Sequence, residues 1–159
     1  MTAVNSVGVF TVDRTLVIGT WGAWLERATG LTTQHAVGSK LGDLIPELGL
    51  RGMLRRISTV IEKGTVEVLA PAFHHYLLPC APATPSRHFT HMQQHVTISP
   101  LRVDGVVDGA VITIEDVTER LERERELTVQ LQSEDVALRL RAASALARDD
   151  YAASNPLVD

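Results

Sequence analysis

One dipeptide limits the architecture of this chain more than any other feature. Asp104-Gly105 separates a β-rich run, Phe89 to Ile98, from an apolar one, Val106 to Ile114. Asp-Gly between two such runs favours the positive φ angles of a tight hairpin turn. The chain must therefore contain an antiparallel sheet with these two strands in it. Val7 to Val12 and Leu16 to Thr20 form a second pair of β-rich runs around a turn at Asp13-Arg14, and Val66 to Leu69 is a fifth.

The segments between these runs change period. From Trp21 to Ala28, the residues Trp24, Leu25 and Ala28 fall at helical spacing, and Gly30 supplies a stop. Leu31 to Ile45 is interrupted by Gly38 and Gly42 and closed by Pro46, which predicts short helical turns. Leu50 to Lys63 is the strongest helix of the first half: Leu54, Ile57, Val60 and Ile61 make an apolar stripe, and Gly64 caps its end. Pro71, Pro79, Pro82 and Pro85 then exclude a helix interior or a central strand, so residues 70–87 read as a long loop. Loops of more than about 12 residues are usually functional or disordered. Phe73, Tyr76, Leu77, Leu78 and Cys80 make this one too apolar for a tether, which suggests a lid over a pocket or a dimer contact. After Asp116 the chain is helical. Thr118 to Gln132 is dense in charge, Ser133-Glu134-Asp135 predicts the cap of a second helix reaching about Arg148, and Asn155-Pro156 marks a break.

At 159 residues the chain fits one domain with a short appendage, and 45% hydrophobic residues suffice for a core. Aromatics make up only 4%, so that core is aliphatic, and Trp21 and Trp24 are the only indoles able to build a stacking cage. A net charge of −4 argues against a nucleic-acid partner, which calls for a basic stripe. Cys80 is the single cysteine, which leaves no intrachain disulfide or CxxC pair and points to a reducing compartment. The N-terminus has no secretory pattern and no run reaches the roughly 18 apolar residues of a membrane helix. Together these features predict a cytoplasmic chain without a membrane partner.

The order of elements, and several short motifs in that order, resemble a PAS domain. Thr29-Gly30, Gly38 and Asp43-Leu44-Ile45-Pro46 match the first half of the family pattern; Asp116-Val117-Thr118 matches its exit motif, usually DIT. The likeness runs from Gly8 to Gln132. It implies an α+β fold with a five-stranded antiparallel sheet, flanking helices and a C-terminal helical extension. It also implies a non-catalytic sensor or interaction domain of signal transduction, homodimeric, that takes a small-molecule ligand or a protein partner. Asp116 and Thr118 would couple the sheet to the following helix by capping its first turn; equally, they would start a helix in any protein. The implied division is a PAS domain over residues 1–116, a signalling or linker helix over 117–132, and a helical extension over 133–159. In the extension, Leu138, Arg139, Ala142, Ala143, Ala145 and Leu146 resemble the first helix of a HEAT-type repeat, although a generic alanine-rich helix reads the same.

Candidate chemistry is sparse. His35, His74, His75, His88, His91 and His95 form no metal-ligand pattern; if His91 and His95 share a strand they lie about 13 Å apart. Ordinary core or surface histidines are the simpler account. Haem-binding PAS sensors often carry the proximal histidine on the long helix, and Leu50 to Lys63 has none, so a haem would need His35, His74 or His91. Flavin–thiol photosensors of the LOV type need a cysteine in a segment matching Gly38 to Ile45, which has none. Flavin held without a covalent bond would stack on Trp21 or Trp24, whose plainer role is anchoring. There is no phosphate loop and no nucleophile elbow. The pocket candidates are Trp24, Met53, Ile57, His74, His91 and His95, with haem or flavin as the alternative cofactor reading.

Overall fold

A computed structural model describes residues 7–154. Five strands, β1 (Val7–Asp13), β2 (Ile18–Trp21), β3 (Glu67–Leu69), β4 (Gln94–Val103) and β5 (Val106–Asp116), pair antiparallel in the order β2-β1-β5-β4-β3. Between β2 and β3 lie α1 (Ala23–Thr29), α2 (Thr33–Ala36), α3 (Leu41–Leu44), α4 (Glu47–Leu50) and α5 (Met53–Lys63). A short α6 (Pro71–His74) follows β3, and α7 (Thr118–Ser154) follows β5.

The Asp104-Gly105 turn has the expected form. Asp104 at φ 52° and Gly105 at φ 79° are both left-handed, and Val103 pairs directly with Val106. Two positive φ angles match the right-handed twist of the flanking strands, which is why this dipeptide closes them.

Register sets which side chains face the core. Phe10, Ile112 and Ile98 align across three strands, and Gly8, Ile114, Val96 and Leu69 across four. All of these apolar side chains are buried, while the alternate row with Val9, Thr113, Thr97 and Val68 is partly or fully exposed. This is the period-two signature of a sheet with one covered face. Helix α5 covers it, laying Met53, Ile57, Val60 and Ile61 against β4 and β5, and ends at Gly64 in the left-handed cap conformation. At the other side, α1 packs on β1: a Cβ on Gly8 would lie 2.2 Å from a ring atom of Trp24, so that indole occupies the space a side chain would need. Trp24 is thus used as a packing wedge. Trp21 is buried, its indole N–H donates to the Leu31 carbonyl at 2.9 Å and its ring lies 5.2 Å from Phe10.

The structure corrects the expected elements at three places. The segment 70–87 is not wholly loop: Pro71 stands in the first turn of α6, where its missing N–H has no intrahelical role. The second hairpin strand begins at Gln94 instead of Phe89, so the connection from α6 runs to Gln93 and His91 lies outside the strand. No helix break occurs at Ser133, because α7 continues through it to Ser154. A serine inside a helix costs a few tenths of a kcal/mol and caps only where the backbone already turns. No comparison supports a HEAT-type repeat in this segment. The break expected at Asn155-Pro156 lies outside the described residues.

The chain divides between Arg120 and Leu121 into two compact units. The first holds the sheet, α1–α6 and the opening of α7. In the second, every side chain from Arg123 to Tyr151 is exposed.

Candidate functional site

The connection between α6 and β4 is irregular in backbone but fixed by side chains. Leu77 and Leu78 are fully buried in the same core cluster as Leu25, Leu41, Leu48 and Ile57. Their backbone needs partners, since an unpaired buried amide costs about as much as a lost hydrogen bond. Gln94 supplies them. Its side-chain Oε1 accepts from Leu77 N at 2.9 Å and Leu78 N at 3.0 Å, and its Nε2 donates to the Leu78 carbonyl at 2.7 Å and to Cys80 Sγ at 3.4 Å. The backbone N–H of Gln94 donates to the His75 carbonyl at 2.8 Å, and Met92 N to the Cys80 carbonyl at 2.8 Å. One buried amide therefore staples the loop to the first residue of β4.

A second clamp comes from the other side. Arg51 donates to the carbonyls of His74 at 3.0 Å, Tyr76 and Leu77, and its guanidinium lies over the Tyr76 ring at 4.2 Å. The His91 imidazole stacks on Tyr76 with centroids 4.8 Å apart, and the Tyr76 hydroxyl donates to Glu47 at 3.1 Å. These bonds surround a strained point: His75 has φ 63° and ψ −62°, and Tyr76 N donates to the His74 carbonyl at 2.7 Å. That geometry is the rare positive-φ γ-turn, which persists only when its surroundings over-determine it. Arg51 and Gln94 are those surroundings.

The third element is the joint with α7. Asp116 Oδ1 accepts from Thr118 N at 3.0 Å and from Thr118 Oγ1 at 2.7 Å, so Asp116 caps the helix start. Thr118 Oγ1 in turn accepts from Gln93 N at 2.7 Å, and Val117 N donates to the Gln93 carbonyl at 2.9 Å. Gln93 and Gln94, adjacent in sequence, thus tie the first turn of α7 and the buried loop to the same end of β4.

The titrating groups here follow their surroundings. Burial pushes the Cys80 thiol up to about 11, helped by the Asp116 charge and opposed by its bond from Gln94. Burial first, then the positive charge of Arg56, lowers His74. Tyr76 is raised by burial and by its bond to Glu47.

The expected pocket residues do not converge. Met53 and Ile57 lie on the buried face of α5 and Trp24 is packed on Gly8. His74 ends α6 beside Arg51 and Arg56; His91 stacks on Tyr76 outside the core; His95 pairs with Glu115 in the row of the opposite sheet face. Among the described residues, the buried groups on the helix-covered face include no imidazole and no thiol. That donor set does not fit a haem, and Trp21 and Trp24 are already committed to packing contacts that a flavin ring would have to displace. Asp116 and Thr118 do meet, as a helix cap. Sequence reasoning missed Arg51, Gln93 and Gln94. A Gln-Gln pair between an apolar loop and a strand was the available signal.

No family model matches the sequence, and no curated protein matches it. Solved structures do. A sensory box sensor histidine kinase from Vibrio cholerae superimposes with a TM-score of 0.57 at 19% identity, covering 72% of this chain and 84% of that one. The PAS domain of the histidine kinase ThkA gives 0.53 at 21% identity, covering 69% and 98%. An RNA-binding light-oxygen-voltage receptor gives 0.53 at 23% identity, covering 84% of this chain and 35% of that one. The chain has the PAS fold, as the resemblance in its motifs implied.

Proposed function

We propose that the chain is a non-catalytic sensory or protein-interaction module that relays the state of its α6–β4 loop into α7. The observation that carries this reading is the shared anchor at Gln93-Gln94: the loop hangs on one amide, and the helix start hangs on its neighbour. Any event that loosens the loop from Gln94 acts on a residue one peptide away from the bonds that set the first turn of α7. Rigid coupling of this kind transmits a two-state change through contiguous bonds, provided that both sites bias it. The small ligand or protein partner would supply that bias, with residues 1–116 as sensor, 117–132 as linker and 133–159 as a helical extension. A homodimer in the cytoplasm is the assembly this reading assumes.

The filled core favours a protein partner over an enclosed small ligand, because Leu77, Leu78 and Ile57 occupy the helix-covered face themselves. Thr118→Val tests the relay. Hydrogen exchange should show protection at Gln93, Val117 and the first turn of α7 falling at least about tenfold while β1 and β5 amides hold, as expected from the loss of buried hydrogen bonds. Unchanged protection at α7 would remove the relay. Native mass spectrometry of freshly purified protein separates the two inputs, since a retained small molecule would favour the ligand.

A further inference from the structure

Helix α5 carries an unexplained concentration of positive charge on an acidic protein. A cleft of about 500 Å³ is lined by Arg51, Gly52, Arg55, Arg56, Thr59 and Glu67, placing three guanidiniums against one carboxylate while the whole chain carries −4. Arg55 and Arg56 in the first turns of α5, with Arg51 just before its N-cap Gly52, oppose the helix dipole, which favours acidic residues there, and the first turn of α5 has none. The neighbouring His74 is lowered first by burial, then by the charge of Arg56, with Glu67 opposing and Arg51 adding less. Two of the arginines are already placed by the fold. Arg51 is spent on the loop carbonyls, and Arg56 pairs with Glu67 at the start of β3. Arg55 is exposed at the rim.

We propose that this cleft binds a small oxyanion, a phosphate or a carboxylate group, held by Arg55 and by the donors of Arg56 that Glu67 leaves free. Guanidinium matches both anions through paired N–H donors, and charge-assisted bonds of this kind are the stronger class. Glu67 shows that a carboxylate already seats against Arg56, and it competes with any ligand. Arg51 is a positioning residue that joins the cleft to the loop, because the same guanidinium lines one and holds the other.

The test titrates the full chain with inorganic phosphate and, separately, with succinate, at constant ionic strength set by sodium chloride, following amide shifts by NMR. The expected result is saturable shifts confined to residues 51–59 and Glu67 for one or both probes; which probe saturates identifies phosphate or carboxylate as the ligand group. Arg55→Gln should weaken that binding at least about tenfold, the loss expected for a charge-assisted bond. Glu67→Gln should tighten it several-fold by removing the competing carboxylate. Neither probe saturating by tens of millimolar overturns the proposal. So does an Arg55→Gln affinity equal to that of the parent chain, or a Glu67→Gln variant that folds and binds more weakly. None of these readouts depends on α7, so their failure leaves the relay standing.

Discussion

Between α6 and β4 the backbone follows no regular pattern, yet Leu77, Leu78 and Met92 are sealed from solvent, and the amides of Leu77 and Leu78 are satisfied by the buried side chain of Gln94. Over α7 the backbone is unbroken helix, yet every side chain from Arg123 to Tyr151 is exposed. Regularity and burial are thus separated in this protein. The loop owes its shape to tertiary bonds and would lose it if one of them went. The helix owes its shape to local hydrogen bonds, charge pairs such as Arg139–Asp135 at 3.0 Å, and good helix formers. A helix that buries nothing is marginal unless long, and 37 residues is well past that limit.

The contrast can be broken most forcefully at Gln94. Gln94→Leu keeps the volume but leaves Leu77 N–H, Leu78 N–H and the Leu78 carbonyl without their partner, and should lower stability by about 4 kcal/mol in urea unfolding. A loss under about 1 kcal/mol would mean the loop is not held by this amide. Leu78→Ala should follow at about 3 kcal/mol, the usual cost of emptying a fully buried leucine site. Cys80 gives a smaller, pH-dependent effect. Its thiol titrates near 11 in the folded protein, above its ordinary value near 9, so the stability it contributes is complete below that ordinary value and is lost as pH rises toward 11. Urea midpoints measured from pH 8 upward should therefore fall less steeply in Cys80→Ala than in the parent, and parallel curves would contradict the desolvation of this half-buried thiol. On the helix, Leu138→Ala should change stability by less than about 0.5 kcal/mol, since the side chain is exposed. A much larger drop would reveal that something covers α7.

The same contrast explains what was legible in the sequence. The hairpin at Asp104-Gly105 and the cap at Gly64 are set by local backbone angles, so two or three residues announce them. The stripe on α5 is a periodic signal, carried by the spacing of Leu54, Ile57, Val60 and Ile61 alone. Leu77 and Leu78 looked like a lid because nothing nearby in sequence says that Gln94, sixteen or more residues on, turns back to satisfy their amides. The start of β4 is hidden for a related reason: Phe89 to Gln93 has strand-like composition, but Gln93 pairs with the residues that open α7. Composition puts His91 and His95 on one strand, and only tertiary placement separates them. Ser133 misled in the opposite sense, since a good capping residue is ignored where the helix on both sides is strong.

The shortness of β3 has a consequence for the sheet it completes. It pairs only with Val96 to Ile98, so among the described residues β4 from Ser99 to Val103 has a rim with no strand beside it. An open rim of this kind invites pairing with another chain. Here Pro100 withholds a backbone donor, the register shifts between Leu101 and Arg102, and the Arg102 guanidinium reaches the Gly64 carbonyl at 3.4 Å. A ring, an irregularity and a charge in three successive residues oppose strand pairing along that rim, so Pro100→Thr is the substitution expected to make it a better template.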